Sequence, residues 1–280
     1  MTKQVLRVGQ SADPDDAFMA WGLEAALAEK GLDVELVFDD IETLNEGALR
    51  GDLDLTAISV GAYPQLAPNY RVLRCGASFG DGYGPVVVAT KPAAVDGVAA
   101  LKGLRVATPG EHTTARMLLR IFAGDTFEEV SLPFDQIMDA VRDGDVDAGL
   151  IIHEGQLIFE ELGFHAWFEP AAEWARREQL PLPLGAVAIR RSLPESVQQD
   201  AADAFLRGVH AGFLNMETAL DFAASYARGL ERDVLEEYVR RYVNAATLDM
   251  GAPGLRAIER LFELAVAAGV LTSQPELDAL

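Results

Sequence analysis

The sequence predicts an α/β protein built as a two-lobed clamp, each lobe a mixed sheet flanked by helices, with a helical C-terminal part. Three observations predict it. Apolar runs of four to seven residues alternate with stretches of helical period along most of the chain, the pattern of sheets covered by helices. The alternation starts afresh after Lys91-Pro92, where a Gly-rich stretch ends and a hinge is favoured. Beyond about residue 190 the strand pattern stops and helical periods take over. The predicted division is 1–90 with 190–280 as a first, discontinuous lobe and 91–189 as a second, with a ligand cleft between them.

Taken in order, VLRVGQS (5–11) reads as a buried strand. Asp13-Pro14-Asp15-Asp16 then offers an N-cap, a proline in the first turn and acids at the positive helix end, opening a helix to about Lys30. VELVFDD (34–40) is the next strand, Thr43 to Arg50 a short helix closed by Gly51, and LDLTAIS (53–59) a third strand. A turn or helix through GAYPQLA and the apolar run VLRCGAS follow. GDGYGPVVVAT has glycines at alternate positions but runs into a strand and lacks the dinucleotide-loop spacing, so it reads as turn residues leading into a connecting strand.

In the second lobe LKGLRVATPG is strand and turn, HTTARMLLRIFA a helix, FEEVSLP a strand, FDQIMDAVRDG a helix and VDAGLIIHE a strand. A return strand is placed at PLPLGAVAIRR (181–191). Helices follow at 194–214, 215–228, 231–243 and 254–269, with Gly229, Gly251 and Gly269 as stops.

Composition narrows the function. A formal charge of -21, from 44 acidic against 23 basic residues, disfavours nucleic acid and anionic membranes as partners, because a phosphate-binding surface needs local Lys and Arg. The start MTKQVLRVGQ has no leader pattern and no apolar run reaches the length of a membrane span, so the chain reads as cytoplasmic. The single Cys75 excludes an intrachain disulfide and a cysteine-cluster metal site, and in VLRCGAS it reads as a buried small hydrophobe.

Ligands of open α/β sheets sit beyond the carboxyl ends of the strands. That rule nominates Ser11 to Asp16, Ser59, Thr108 to Thr114, His153 with Glu154, and Leu184 with Gly185. PGEHTT (109–114) is a strand-to-helix turn whose N–H groups and hydroxyls can hold an anion or simply cap a helix. His153 follows the buried run AGLII, and imidazole is the side chain that exchanges a proton near neutral pH. A direct pair with Glu154 requires the strand to end there, since neighbours on a strand face opposite ways. Leu157 stands where a zinc-protease pattern needs its second histidine, so no metal is implied. His112, His165 and His210 read mainly as structural, with His112 beside the threonine pair. Asn45 near a helix start and Tyr242 on a C-terminal helix are further candidates, each with a plain reading as a cap or a core aromatic.

Read together, SADPDDAF, DIETLN, LTAIS with Ala62-Tyr63, GYGPVVVA, HTTA, GLIIHE, LPLGA and YVNAATLD resemble, in this order, the 1,4-dihydroxy-6-naphthoate synthase family of the futalosine route to menaquinone. The resemblance implies a fold like type II periplasmic binding proteins and a lyase that splits cyclic dehypoxanthinylfutalosine into the dihydroxynaphthoate and a three-carbon sugar-derived fragment. It implies His153 as proton acceptor, Thr113, Thr114 and Ala57, Ile58 and Ser59 as substrate contacts, and no cofactor. Asn45, Glu154, Leu184 and Tyr242 complete the expected binding set. The expected partner is a small anionic aromatic substrate, and the expected state a monomer or weak homodimer. Some relatives carry lysine where this chain has Ala57, and Cys-Pro-Asn-Asp where it has Asp13-Pro14-Asp15-Asp16; these departures remove a cation and add negative charge. Two rivals share the fold: a solute-binding or sensory protein for a small organic acid, and the sibling chorismate dehydratase.

Overall fold

Two sheets organise the chain, one in each of two units. The computed structural model describes residues 5–95, 97–227 and 230–280; Gly229, expected to stop a helix, lies outside them. The first unit comprises 1–79, 184–255 and 275–280, the second 80–183 and 256–274. The joints expected from the sequence are 90/91 and 189/190, whereas the chain divides at 79/80, 183/184, 255/256 and 274/275.

The N-terminal stretch runs β1 (Val5–Ser11), α1 (Pro14–Ala20), α2 (Leu23–Glu29), β2 (Asp33–Asp39), α3 (Ile41–Arg50), β3 (Leu55–Ser59), a 3-10 turn, α4 (Tyr63–Leu66), β4 (Tyr70–Val72) and β5 (Ser78–Gly80). Next come β6 (Val86–Ala89), β7 (Arg105–Thr108), α5 (Thr114–Ala123), β8 (Glu128–Ser131), α6 (Ile137–Asp143), β9 (Ala148–Ile151), α7 (Gly155–Ile158), β10 (His165–Phe168), α8 (Pro170–Glu178) and β11 (Leu182–Arg190). The C-terminal part is helical: α9 (Glu195–Leu214), α10 (Met216–Ala224), α11 (Arg232–Tyr242), α12 (Ala245–Leu248) and α13 (Gly251–Ala267).

The first sheet has the order β2-β1-β3-β11-β4, with β5 also on β11. Its β1, β2 and β3 are parallel and β11 runs antiparallel to β3, with Gly185 opposite Ser59. One face is sealed by Leu6, Val8 and Leu55 against Phe18, Leu23, Phe205 and Val209. The second sheet has the order β10-β6-β9-β7-β8, with β7 parallel to β8 and β9 and β6 antiparallel to β9. Both of its faces are buried. Val87, Val106, Ala148 and Leu150 meet Ala115 and Leu119 of α5 on one side, while Val86, Val88, Ala107 and Ile151 meet Ile137 and Val141 of α6 on the other. Runs such as VVVA and AGLI are continuous and apolar for this reason.

Two expectations are corrected and two stretches left open by the sequence are filled. The helix expected from Pro14 to Lys30 breaks at Trp21-Gly22, where a Cβ on Gly22 would lie 2.7 Å from the Gly208 carbonyl oxygen, so the chain bends at a close backbone approach to α9. The apolar run VLRCGAS joins two strands: β4 ends at Val72 and β5 begins at Ser78. Between them Gly76 turns at φ 77°, with Phe205 and Val187 filling the space a side chain would take. Gly251 starts a helix instead of stopping one, its N–H donating to Asp249 Oδ1 at 2.9 Å. Finally β10 and α8 lie where the sequence reading placed no element.

Candidate active site

In the first unit the parallel strands end at Ser11, Asp39 and Ser59. Ser11 Oγ donates to Asp13 Oδ2 at 2.7 Å, and Asp13 Oδ1 accepts the Asp16 N–H at 3.1 Å, the N-cap bond of α1. Ser78 Oγ donates to Asp15 Oδ2 at 3.2 Å. Asp15 Oδ1 is buried without a hydrogen-bond partner. Burial, then the charges of Asp13 and Asp16, push the Asp15 carboxyl well above the usual carboxylate range. Among the described residues, Asp13, Asp15 and Asp16 are the group whose oxygens lie close enough together to share a cation; the same crowding lets them share a proton.

At the end of β3, Ala57 and Ile58 are locked in the ladder against Val187 and Ala186, and both are buried. Ser59 is held by Asn45: its N–H donates to Asn45 Oδ1 at 2.8 Å and its hydroxyl accepts from Asn45 Nδ2 at 3.1 Å. Asn45, expected to touch ligand, is fully buried in α3 with its amide occupied in this way. Leu184 precedes Gly185 on β11, half-buried. Tyr242 is buried on α11 with its ring 5.0 Å from that of Tyr238.

In the second unit the corresponding ends are Thr108, Ser131 and Ile151. Thr113 caps α5: its hydroxyl accepts the Arg116 N–H at 3.3 Å, and Thr114 is the first helical residue, also buried. A network braces this turn. Glu129 on β8 accepts from Thr108 Oγ1 at 2.8 Å and from Arg116 and Arg120 of α5. Burial pushes the Glu129 carboxyl up, but the hydrogen bonds from Arg116 and Thr108 and the guanidinium charges outweigh it, leaving the group below its usual range.

His153 stands two residues beyond β9, so the strand has ended before Glu154. Its φ is 55°, a left-handed conformation uncommon for a residue with a side chain. The imidazole meets the Phe134 ring edge-to-face, centroids 4.8 Å apart at 73°, and Phe134 lies just past the end of β8. Glu154 is buried at the start of α7. His112 is half-buried in the turn before Thr113, while His165 and His210 are exposed on β10 and α9. Burial pushes the Cys75 thiol up to about 12, which removes it as a nucleophile.

Sequence reasoning missed Phe134, Glu129 and Ser78. Applying the strand-end rule to FEEVSLP as well would have brought Phe134 into view; the partners of Glu129 and Asp15 are long-range and have no local signal.

The family model described as menaquinone biosynthesis matches residues 6–267. A Thermus thermophilus protein named 1,4-dihydroxy-6-naphthoate synthase is 41% identical over 97% of this chain and 98% of its own. A Streptomyces coelicolor protein of the same name is 34% identical over 97% and 96%. Among solved structures, an Archaeoglobus fulgidus protein superposes with a TM-score of 0.87 at 40% identity, covering 97% of this chain and 100% of that one. The alkanesulfonate-binding protein SsuA from Xanthomonas axonopodis pv. citri, bound to MOPS, has a TM-score of 0.74 at 16% identity over 98% and 97%, a likeness of fold alone. The fold is thus periplasmic-binding-protein-like. Among the described residues no helix is long and apolar enough to cross a membrane.

Proposed function

Because the chain belongs to the menaquinone-biosynthesis family, we propose that it is a 1,4-dihydroxy-6-naphthoate synthase: a carbon–carbon lyase acting on cyclic dehypoxanthinylfutalosine with His153 as general base. The observation that carries the assignment of the base is the conformation of His153. A left-handed, non-glycine residue persists only where its surroundings over-determine it, and such residues cluster at functional sites. Here the strained residue is also an imidazole two residues beyond the end of β9, a central strand of its sheet, and packed against the Phe134 ring.

In the proposed reaction the imidazole takes a substrate proton, a carbon–carbon bond breaks, the ring aromatises and the sugar-derived fragment leaves. Base catalysis of this kind contributes about 10²–10⁴-fold. The proposed substrate contacts are Ser59 and the backbone of Ala57 and Ile58, with Leu184 and Tyr242, in the first unit, and Thr113, Thr114 and Glu154 in the second. The reading includes a small anionic aromatic substrate and a cytoplasmic enzyme, monomeric or weakly dimeric. The test is conversion of cyclic dehypoxanthinylfutalosine by the purified protein, followed as formation of 1,4-dihydroxy-6-naphthoate; a wild-type protein that binds this compound without converting it overturns the reading.

A further inference from the structure

We infer that Asn45 is a positioning residue that keeps the Ser59 hydroxyl hydrogen off its own amide and available to donate, so that an acceptor oxygen of the substrate is the group recognised at the end of β3. The inference rests on the functional reading above, in which Ser59 contacts substrate.

The polarity follows from three hydrogen bonds. The Ser59 N–H can only donate, and it lies 2.8 Å from one end of the Asn45 amide, so that end is the oxygen. Exchanging the amide's oxygen and nitrogen would set two donors against each other. The other end is then nitrogen, 3.1 Å from Ser59 Oγ, and an amide nitrogen donates without accepting. It reaches Glu42 Oε2 as well, at 3.4 Å. Ser59 Oγ is therefore the acceptor in its bond with Asn45, and its own hydrogen points elsewhere. Among the described residues no side chain or carbonyl takes that hydrogen.

The placement suits recognition. Asn45 is fully buried, so water does not compete for its amide. Ser59 is the last residue of β3 and pairs with Gly185 across the ladder. Gly185 adds no side chain at this end of the ladder; a methyl built there would stand at ordinary contact distance, 3.8 Å, from the Ile58 carbonyl oxygen and Ser78 Cβ. A carbonyl, hydroxyl or carboxylate oxygen of the substrate is the chemical class that an available O–H donor takes.

The experiment compares KM, kcat and melting temperature for Ser59→Ala, Asn45→Asp and the double variant, with cyclic dehypoxanthinylfutalosine as substrate. Asn45→Asp keeps an acceptor for the Ser59 N–H but replaces the donor opposite Ser59 Oγ with a second acceptor, drawing the hydroxyl hydrogen inward. Ser59→Ala is expected to raise KM about tenfold, Asn45→Asp by a similar factor with a smaller change in kcat, and the double variant no further than about twofold beyond Ser59→Ala. Asn45→Ala, tested in the same cycle, is expected to show the same non-additivity and serves if the aspartate variant does not fold. Penalties that multiply in the double variant, as a new charge or general loosening would produce, overturn the inference, as does a wild-type KM in Asn45→Asp or in Ser59→Ala. A wild-type protein without turnover overturns the functional reading itself, a result distinct from multiplying penalties in an active enzyme.

Discussion

Replacing His153 by asparagine, alanine and glycine separates its chemistry from its backbone. At φ 55° a residue with a Cβ bears about 1–2 kcal/mol of strain, which asparagine relieves in part by local hydrogen bonding and glycine escapes. All three substitutions remove the imidazole and with it the edge-to-face contact to Phe134 at 4.8 Å, so that contact cancels when the variants are compared with one another. His153→Ala is therefore expected to melt below His153→Gly by about 2–4 °C, taking about 1 kcal/mol of strain and the usual entropy of unfolding for a chain of this size. His153→Asn falls between them or above both.

Turnover follows a different order. If the imidazole is the base, all three variants lose about 10²–10⁴-fold in kcat, equivalent to about 3–5 kcal/mol of barrier, whatever their stability. The assays are thermal unfolding and chromatographic measurement of 1,4-dihydroxy-6-naphthoate formation. His153→Asn working within tenfold of wild type refutes the base assignment, and His153→Ala as stable as His153→Gly refutes the claim that the left-handed conformation is strained.

Three further outcomes are expected. Glu129→Gln destabilises the protein by about 1–3 kcal/mol at pH 7, as charge-assisted bonds to Arg116 and Arg120 are weakened. The Glu129 carboxyl lies below its ordinary value of 4.5 in the folded state, so its contribution is present above that value and lost as pH falls through the folded one; the gap between wild type and variant in urea unfolding should narrow below about pH 4, and a gap constant from pH 7 to pH 3 contradicts this. Asp15 has the opposite sign: burial and neighbouring acids raise it above 3.8, so its favourable contribution is present below that pH and lost as pH rises through the folded value. Asp15→Asn is then expected to melt higher than wild type at pH 7–8, by an amount that shrinks towards pH 4, and a lower melting point at pH 8 overturns the account. Cys75, buried with its thiol pushed up to about 12, should resist a disulfide-exchange reagent at pH 8 until the protein is unfolded; rapid labelling of the native protein contradicts the burial.

Much of the fold was legible because several central strands are buried on both faces. VVVA, RVAT and AGLI are short unbroken runs with strand propensity, and they read as core strands without reference to anything distant. Helix ends were legible where a local side chain makes them, as Asp13 and Thr113 do, although the cap at Asp40 was read as the end of a strand. The failures have a common cause in distance along the chain. Nothing near Gly22 announces that Gly208 will press against it, and the turn at Gly76 is shaped by Phe205 and Val187. The missed strand HAWF is only four residues long, two of them exposed, and owes its existence to pairing with β6.

The candidate site divides along the same line. A strand-end rule finds His153, Ser59 and Thr113 because sheet topology puts them there, and topology is what hydrophobic period encodes. Conformation and hydrogen-bond polarity are not encoded that way. The positive φ of His153 depends on how the chain leaves β9 and enters α7, and the direction of the Ser59 hydroxyl depends on an amide fourteen residues earlier in sequence. Asn45 shows the consequence most directly: it was expected to contact ligand, but both ends of its amide are engaged by Ser59 and Glu42, and the influence proposed for it passes through Ser59. A survey of polar residues near strand ends therefore overcounts contacts and undercounts supports. The support at Glu129, which no strand-end rule selects, joins β8 to α5 and to the end of β7, and so braces the turn that carries Thr113 and Thr114.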